Sequence, residues 1–378
     1  MRPLTLIYGH NNVGKSALLR LFPTVADSVE DGATSLLDLR RTAGSEVGFL
    51  DVLNRDAELK RIRLALRWIA EDGCVLSDSF TLRYMHEISR VIVEEAVVRD
   101  GEDSVLLTLK AQPLSDESIY TLLIHQAAEQ DIPMEFRGLV PDDREEVPPI
   151  KELRQRLLGL RHHIHWLKSL RTRLPRLVSK TGSNIRALQP DGQDAAQAIL
   201  TNDRVRGTVA AWYARPEVGR RLEIREIGNH IYRIFLNPEH GPLDNIDLPD
   251  TGEGMVQVLP VLVAAALAQA QGKGTILTLE ETESHLHGDA QQALASHLAS
   301  IAGSPTAPTI VAETHSRLLI VFRVASWSHT KTCGKPQGLS NYNASEDSKV
   351  FVHPSTLRHP ACARFPALAD RETANHRL

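Results

Sequence analysis

The eight residues Gly9-His10-Asn11-Asn12-Val13-Gly14-Lys15-Ser16 constrain this chain more than any others. They follow Leu4 to Tyr8, a short apolar run that reads as a buried strand. They precede Ser16 to Phe22, where apolar residues recur at helical spacing until Pro23 is expected to end the helix. A strand, a glycine-bounded loop closing on Lys-Ser, and a helix form the arrangement that wraps phosphate groups. Gly9 and Gly14 let the backbone curl, so that N–H groups along the loop, those of Asn11 and Asn12 included, point at phosphate oxygens. The helix N-terminus adds partial positive charge. Lys15 is expected at the β- and γ-phosphates of a nucleoside triphosphate such as ATP, and the Ser16 hydroxyl on Mg²⁺. The bland alternative is a chance match in a glycine-rich turn, and the flanking strand and helix argue against it.

A phosphate loop needs a carboxylate on a nearby strand to complete a metal site. Thr275 to Leu279 is a mostly apolar run that ends in Glu280-Glu281. Glu280 is expected to hold the metal directly or through water, and Glu281 to orient and deprotonate an attacking water. A solvated glutamate pair at a strand end is the competing reading. A third apolar strand ends in Glu313-Thr314-His315-Ser316. His315 there could bond a γ-phosphate and report its presence, or could be structural. Asp250-Thr251-Gly252-Glu253-Gly254 precedes a long apolar helix, and is either a second anion cradle or a plain helix cap.

Between these motifs the texture varies. Arg61 to Lys110 alternates polar and apolar residues in four runs split by turn signals, which predicts an antiparallel sheet of about four strands. Glu117 to Gln130 reads as helix. Lys151 to Arg186 reads as basic and mostly helical, with ten Lys or Arg against one Glu, in a chain of net charge −4. That segment is either a surface for the phosphate backbone of DNA or RNA, or a solvated face paired with the acidic loop at Asp142–Glu146. Asp194 to Tyr213 reads as one helix, Leu222 to Leu236 as a hairpin turning at Gly228-Asn229, and Asp289 to Ala302 as an amphipathic helix. The final 53 residues hold only six Leu, Ile, Val or Met, and only Lys349 to Val352 looks like a strand. Apolar and aromatic residues make up 42% of the chain, enough for a core and too many for a disordered chain. Three scattered cysteines make no disulfide framework, and Cys333, His353 and Cys362 are not at zinc spacing. With no secretory signal and an apolar run at 256–270 too short for a span, the chain is expected to be soluble and cytoplasmic, without a membrane partner.

The order GHNNVGKS, DTGEGMVQVLP, TLEETESHLH, ETHS resembles the OLD-like group of ABC-type ATPases, over roughly residues 3–325. That group is related to the SMC and RecF ATPases and includes the ATPase subunits of Septu-type anti-phage systems. Its pattern is a phosphate loop, a signature D-x-G-x-G-x-x-Q-x-L-P, a Walker B E-E-P-E-x-x-L-H and a T-H-S switch. Here Thr282 and Gly288 stand where the group has prolines, and Val256 where it often has serine. The segment His165 to Arg171 also looks like a recurring element of the group.

The resemblance implies a Mg²⁺-dependent ATPase working as a nucleotide-sandwich homodimer. Thr251, Gly252 and Gly254 of one subunit would cap ATP held by Lys15 of the other. It further implies anti-phage defence with a separate nuclease or other effector; a fused TOPRIM nuclease is not expected, because the last 53 residues hold no carboxylate cluster to form one. A RecF- or SMC-like repair ATPase is an alternative, although the sequence has no long coiled-coil heptads; a nucleotide-gated scaffold with little turnover is another. The expected fold is α/β, an ABC-type P-loop NTPase with a mostly parallel core sheet, an antiparallel β-subdomain and a helical insertion. The expected divisions are 1–116 and 214–325 for the two parts of the ATPase domain, 117–213 for the basic helical insertion, and 326–378 for a poorly structured tail.

Overall fold

The computed structural model describes residues 2–10, 13–30, 32–54, 60–69, 73–112, 119–124, 128–142, 147–182, 184–242, 244–316, 319 and 350–352. The expectations for Asn11 and Asn12, for most of the acidic loop, for Cys333, His353 and Cys362, and for all of the tail but 350–352 lie outside the described residues.

Strand β1 (Leu4–Tyr8) feeds the phosphate loop, and helix α1 (Lys15–Asp27) leaves it. The helix does not end at Pro23 as the pattern predicts, but runs on to Asp27. An internal proline forfeits one N–H and crowds the preceding turn. Here the turn beyond it is held by burial of Phe22, Val25 and Ala26 in the core.

Strands β2 (Arg61–Ile69), β3 (Val75–Met85), β4 (Arg90–Asp100) and β5 (Val105–Ala111) pair antiparallel in sequence order, as the alternation predicts. The next segment corrects an expectation. Residues within 117–130 form strand β6 (Ile119–Ile124), not helix, and β7 (Gln130–Pro133) follows it onto the sheet edge. The run Ile-Tyr-Thr-Leu-Leu-Ile fits either period, and the open edge of β5 decides it: Tyr120 and Leu122 turn inward with a strand's alternation.

A small hairpin of β8 (Phe136–Arg137) and β9 (Val140–Pro141) leads to α2 (Pro148–Leu160), whose first turn carries two prolines where no helical N–H bond is lost. Beyond it the basic stretch is not α-helical and holds only a 3-10 turn, Arg161–His163. Ile164–Leu167 forms strand β10, fully buried, and Val178–Ser179 forms β11. The single helix expected over 194–213 is two, α3 (Ala195–Thr201) and α4 (Asp203–Tyr213). Asn202 takes extended geometry between them and caps α4, its side chain accepting from Val205 N at 3.1 Å. Strands β12 (Arg220–Gly228) and β13 (Ile231–Pro238) form the predicted hairpin, but it turns at Asn229-His230, one residue beyond the expected Gly228-Asn229, with both turn residues at positive φ, as a right-twisted two-residue turn requires. Then come α5 (Glu253–Gln271), β14 (Ile276–Leu279), α6 (Gly288–Ala302), β15 (Thr309–Thr314) and β16 (Val350–Val352), the last parallel to β2.

The core sheet is parallel throughout, in the order β1-β15-β14-β10. A parallel sheet must be covered on both faces, and alternate residues here enter two cores. Leu277, Leu279, Ile310 and Ala312 join the core built around α3, α4, α5 and α6. Ile164, Ile276 and Val311 join the other, shared with α1, α2 and the inner face of the antiparallel sheet. Buried Arg156 of α2 bonds Asp78 of β3 at 2.8 Å, tying helix to antiparallel sheet. Helix α5 is the one described helix long and apolar enough to cross a membrane, and most of it is buried against α3, α4 and the core sheet.

Candidate functional site

All four core strands run the same way, so their C-terminal ends open on one edge. Tyr8, Thr314, Leu279 and Leu167 end there, and the sequence motifs follow each. Gly14 sits at φ 85°, ψ 12°, a left-handed turn that glycine adopts without strain, and Lys15 begins α1 directly after it. Lys15 is buried; its Nζ donates to the His10 carbonyl at 2.7 Å and lies 3.8 Å from Glu313 Oε1. Gly9 is packed under the loop, where an added Cβ would stand 3.1 Å from Val13 Cγ2.

Ser16 and Glu280, predicted to share a metal, have different partners. Ser16 Oγ donates to Glu313 Oε1 at 2.9 Å. Glu280, 1% exposed, takes Arg20 Nε at 2.7 Å and Nη2 at 2.9 Å, one bond on each carboxylate oxygen. Trp166 Nε1 donates to it at 3.1 Å and the Ser169 amide at 3.4 Å. This grip raises the Arg20 pKa above its ordinary value. Glu281 is held at φ 44°, an uncommon conformation for a residue with a side chain, and its Oε2 accepts from Ser284 Oγ at 3.0 Å.

Arg171 underpins this loop from β10's side. Its Nη2 donates to the carbonyls of Glu280 at 2.7 Å and Glu281 at 3.1 Å, and Nη1 to that of Gln257 in α5 at 3.3 Å. Burial pulls its pKa down to about 10, against the opposing pull of Glu281, Glu283 and Glu280.

His315 stands at the end of β15 with Nε2 4.0 Å from Glu313 Oε1. Its backbone is fixed by Glu283, whose Oε1 accepts from Thr314 Oγ1 and His315 N at 2.7 Å each and from Ser316 N at 3.1 Å. At the start of α5, Gly254 touches the same loop: an added Cβ would stand 2.3 Å from the His285 carbonyl oxygen, so only glycine fits. Gly252 is exposed and faces open space, and Thr251 Oγ1 donates to Leu248 O at 2.7 Å.

The structure thus gathers Lys15, Ser16, Glu280, Glu281 and His315 on one edge, adds Arg20 and Glu313, to which sequence reasoning gave no role, and adds Glu283, which the sequence offers only as a substitute base for Glu281. Glu313 carried a signal in its place directly before Thr-His-Ser at the end of a buried strand. Glu283 carried one too, as the third glutamate of the E-E-P-E pattern, whereas Arg20 carried none, because it acts by a pairing across the fold. The residues suit a magnesium–nucleotide group. A helix N-terminus and a buried lysine offer positive charge to phosphates. Mg²⁺ takes one or two protein oxygens along with phosphate oxygens, and buried Glu313 Oε2, which has no hydrogen-bond partner among the described residues, lies on the carboxylate that holds Ser16.

Residues 4–321 match the family AAA_21, described as "AAA domain, putative AbiEii toxin, Type IV TA system". No curated protein matches the chain significantly in sequence. Among solved structures, an SMC head bound to the C-winged helix domain of ScpA is 9% identical, with 84% of this chain and 83% of that one covered, at a TM-score of 0.36. The SMC head domain from Thermotoga maritima is 12% identical, with 84% and 82% covered, at 0.35. An Smc head with an extended coiled coil, bound to the C-terminal domain of ScpA and derived from Pyrococcus furiosus, is 9% identical, with 84% and 85% covered, at 0.36.

Proposed function

The chain belongs to the AAA_21 family and has the α/β fold of a P-loop NTPase, and from this we propose a Mg²⁺-dependent ATPase of the OLD-like class. It acts as an ATP-gated homodimer in anti-phage defence, with a separate nuclease or other effector. The observation that carries the reading is the convergence of Lys15, Ser16 and three strand-end carboxylates, Glu280, Glu281 and Glu313, on one edge of the parallel sheet.

Each residue has a task that follows from its surroundings. Lys15, buried at the helix start, exchanges the His10 carbonyl for phosphate oxygens. Ser16 and a neighbouring carboxylate hold the metal, which supplies charge neutralisation on the phosphates. Glu281 takes the proton of the attacking water, with Ser284 orienting its carboxylate. His315 faces the same edge from β15 and responds to the terminal phosphate. Thr251, Gly252 and Gly254 at the head of α5 serve the partner subunit's nucleotide, with exposed Gly252 as the residue that approaches it.

Of the basic segment, Arg156 and Arg171 are buried in internal contacts and Arg176 pairs with Asp250. A nucleic-acid contact through this segment therefore rests on exposed Lys151, Arg173, Lys180 and Arg186, and on Arg161, which is exposed beside Glu30. Phosphate release from ATP tests the enzymatic reading. Lys15→Ala should lose ATP binding, and Glu281→Gln should bind ATP while its turnover falls by about 10²–10⁴-fold. Turnover of wild-type size in both variants would sink it.

A further inference from the structure

We propose that Glu313, at the end of β15, is the carboxylate that holds the metal beside Ser16, and that Glu280 is a positioning residue for α1. The proposal rests on the nucleotide-binding reading above. A divalent cation needs oxygen atoms with lone pairs to spare. Glu280 is poorly placed to give one. Arg20 engages both its oxygens in a charge-assisted fork, the Trp166 indole and the Ser169 amide add two further donors, and the side chain is almost wholly buried. Metal ligation there would strip Arg20 of its counter-charge in a half-buried place, which is costly.

Glu313 shows the opposite state. Its Oε1 already accepts from Ser16 Oγ at 2.9 Å, the hydroxyl expected on the metal. Its Oε2 is buried and has no hydrogen-bond partner among the described residues. Buried carboxylate oxygens are normally satisfied, so an orphan beside the phosphate loop calls for a missing partner, and a cation is the partner a carboxylate and a hydroxyl together select. Topology agrees. Strand β15 is β1's immediate neighbour, whereas β14, which carries Glu280, is one strand further off. The competing account makes Glu313 only a counter-ion to Lys15, 3.8 Å away.

The two accounts separate when nucleotide affinity is measured with and without metal. Full-length protein is titrated with ATP in EDTA and again in millimolar MgCl₂. Mn²⁺ uptake in the presence of ATP is followed by electron paramagnetic resonance. Wild type should bind ATP in EDTA and tighten on adding Mg²⁺. Glu313→Gln should bind ATP in EDTA as well or better, since a negative charge beside the phosphates is gone, yet lose about 10–100-fold of the metal-dependent gain and of Mn²⁺ affinity. Glu280→Gln should keep that gain. Glu313→Asp, which retains charge but withdraws it by one methylene, should fall between and serves where the Gln variant does not fold. Loss of the gain in Glu280→Gln with its retention in Glu313→Gln overturns the proposal, as does a Glu313→Asp protein equal to wild type. Failure of wild type to bind ATP under either condition instead removes the nucleotide-binding reading itself.

Discussion

At the scale of single residues, two buried histidines bear on stability. Burial pushes the pKa of both His165, on β10, and His297, in α6, down to about 4 from an ordinary 6.5. A Gln271 bond partly offsets this at His165, while the charge of Arg215 adds to it at His297. A depressed histidine pKa means the folded state refuses a proton that the unfolded chain accepts. Its contribution is therefore present above pH 6.5 and lost as pH falls from 6.5 to about 4. Each histidine steepens the fall by up to about 1.4 kcal/mol per pH unit. Chemical denaturation of wild type across that window should show stability dropping, and a His165→Gln, His297→Gln double variant should show a shallower slope. Equal slopes would mean that carboxylates alone govern the acid side. The buried Arg156–Asp78 pair is a second residue-scale determinant. Arg156→Ala should cost about 3–5 kcal/mol, because Asp78 keeps its charge and loses its partner; a denaturation midpoint close to wild type would contradict this.

At the scale of elements, the loop after β15 hangs on one carboxylate. Glu283 collects three donors from Thr314, His315 and Ser316 on a single oxygen. Glu283→Ala takes this acceptor from the buried Thr314 hydroxyl and from the His315 amide, and should cost about 1–3 kcal/mol. It should also slow phosphate release while ATP affinity in EDTA stays near that of wild type; an unaltered rate would show that His315 needs no such support. What the sequence discloses about elements depends on whether their pattern is local. Strands β2 to β5 are legible because each alternates over seven or more residues. Helices α5 and α6 are legible because their apolar stretches are long. Strand β6 is not, since a six-residue apolar run fits two periods and its neighbour settles the matter. Strand β10 is hidden differently: four buried residues, one of them a histidine, sit inside a basic stretch whose composition suggests a solvated helix. The site divides the same way. Lys15 and Ser16 announce themselves by spacing, whereas the Arg20–Glu280 fork joins residues 260 positions apart and leaves no trace in either local sequence.

At the scale of the whole molecule, the phosphate loop and the head of α5 lie on elements that meet through the loop after β14, where Gly254 abuts His285. In a nucleotide-sandwich homodimer that loop joins one subunit's carboxylates to the surface offered to its partner. Sedimentation with Mg²⁺-ATP should therefore find Glu281→Gln as a dimer, and the same variant carrying Lys15→Ala as a monomer. A monomeric Glu281→Gln protein at saturating ATP would argue for a subunit that works alone. The strand order has a further consequence, one for synthesis. Among the described residues β1 has a single sheet neighbour, β15, and Ser16 meets Glu313 across 297 residues of chain. At roughly 5–20 residues per second on the ribosome, the opening strand waits tens of seconds before its neighbour emerges. Throughout that interval the nascent chain exposes an unpaired apolar edge. The native pairing of β1 is therefore among the last sheet contacts that synthesis allows.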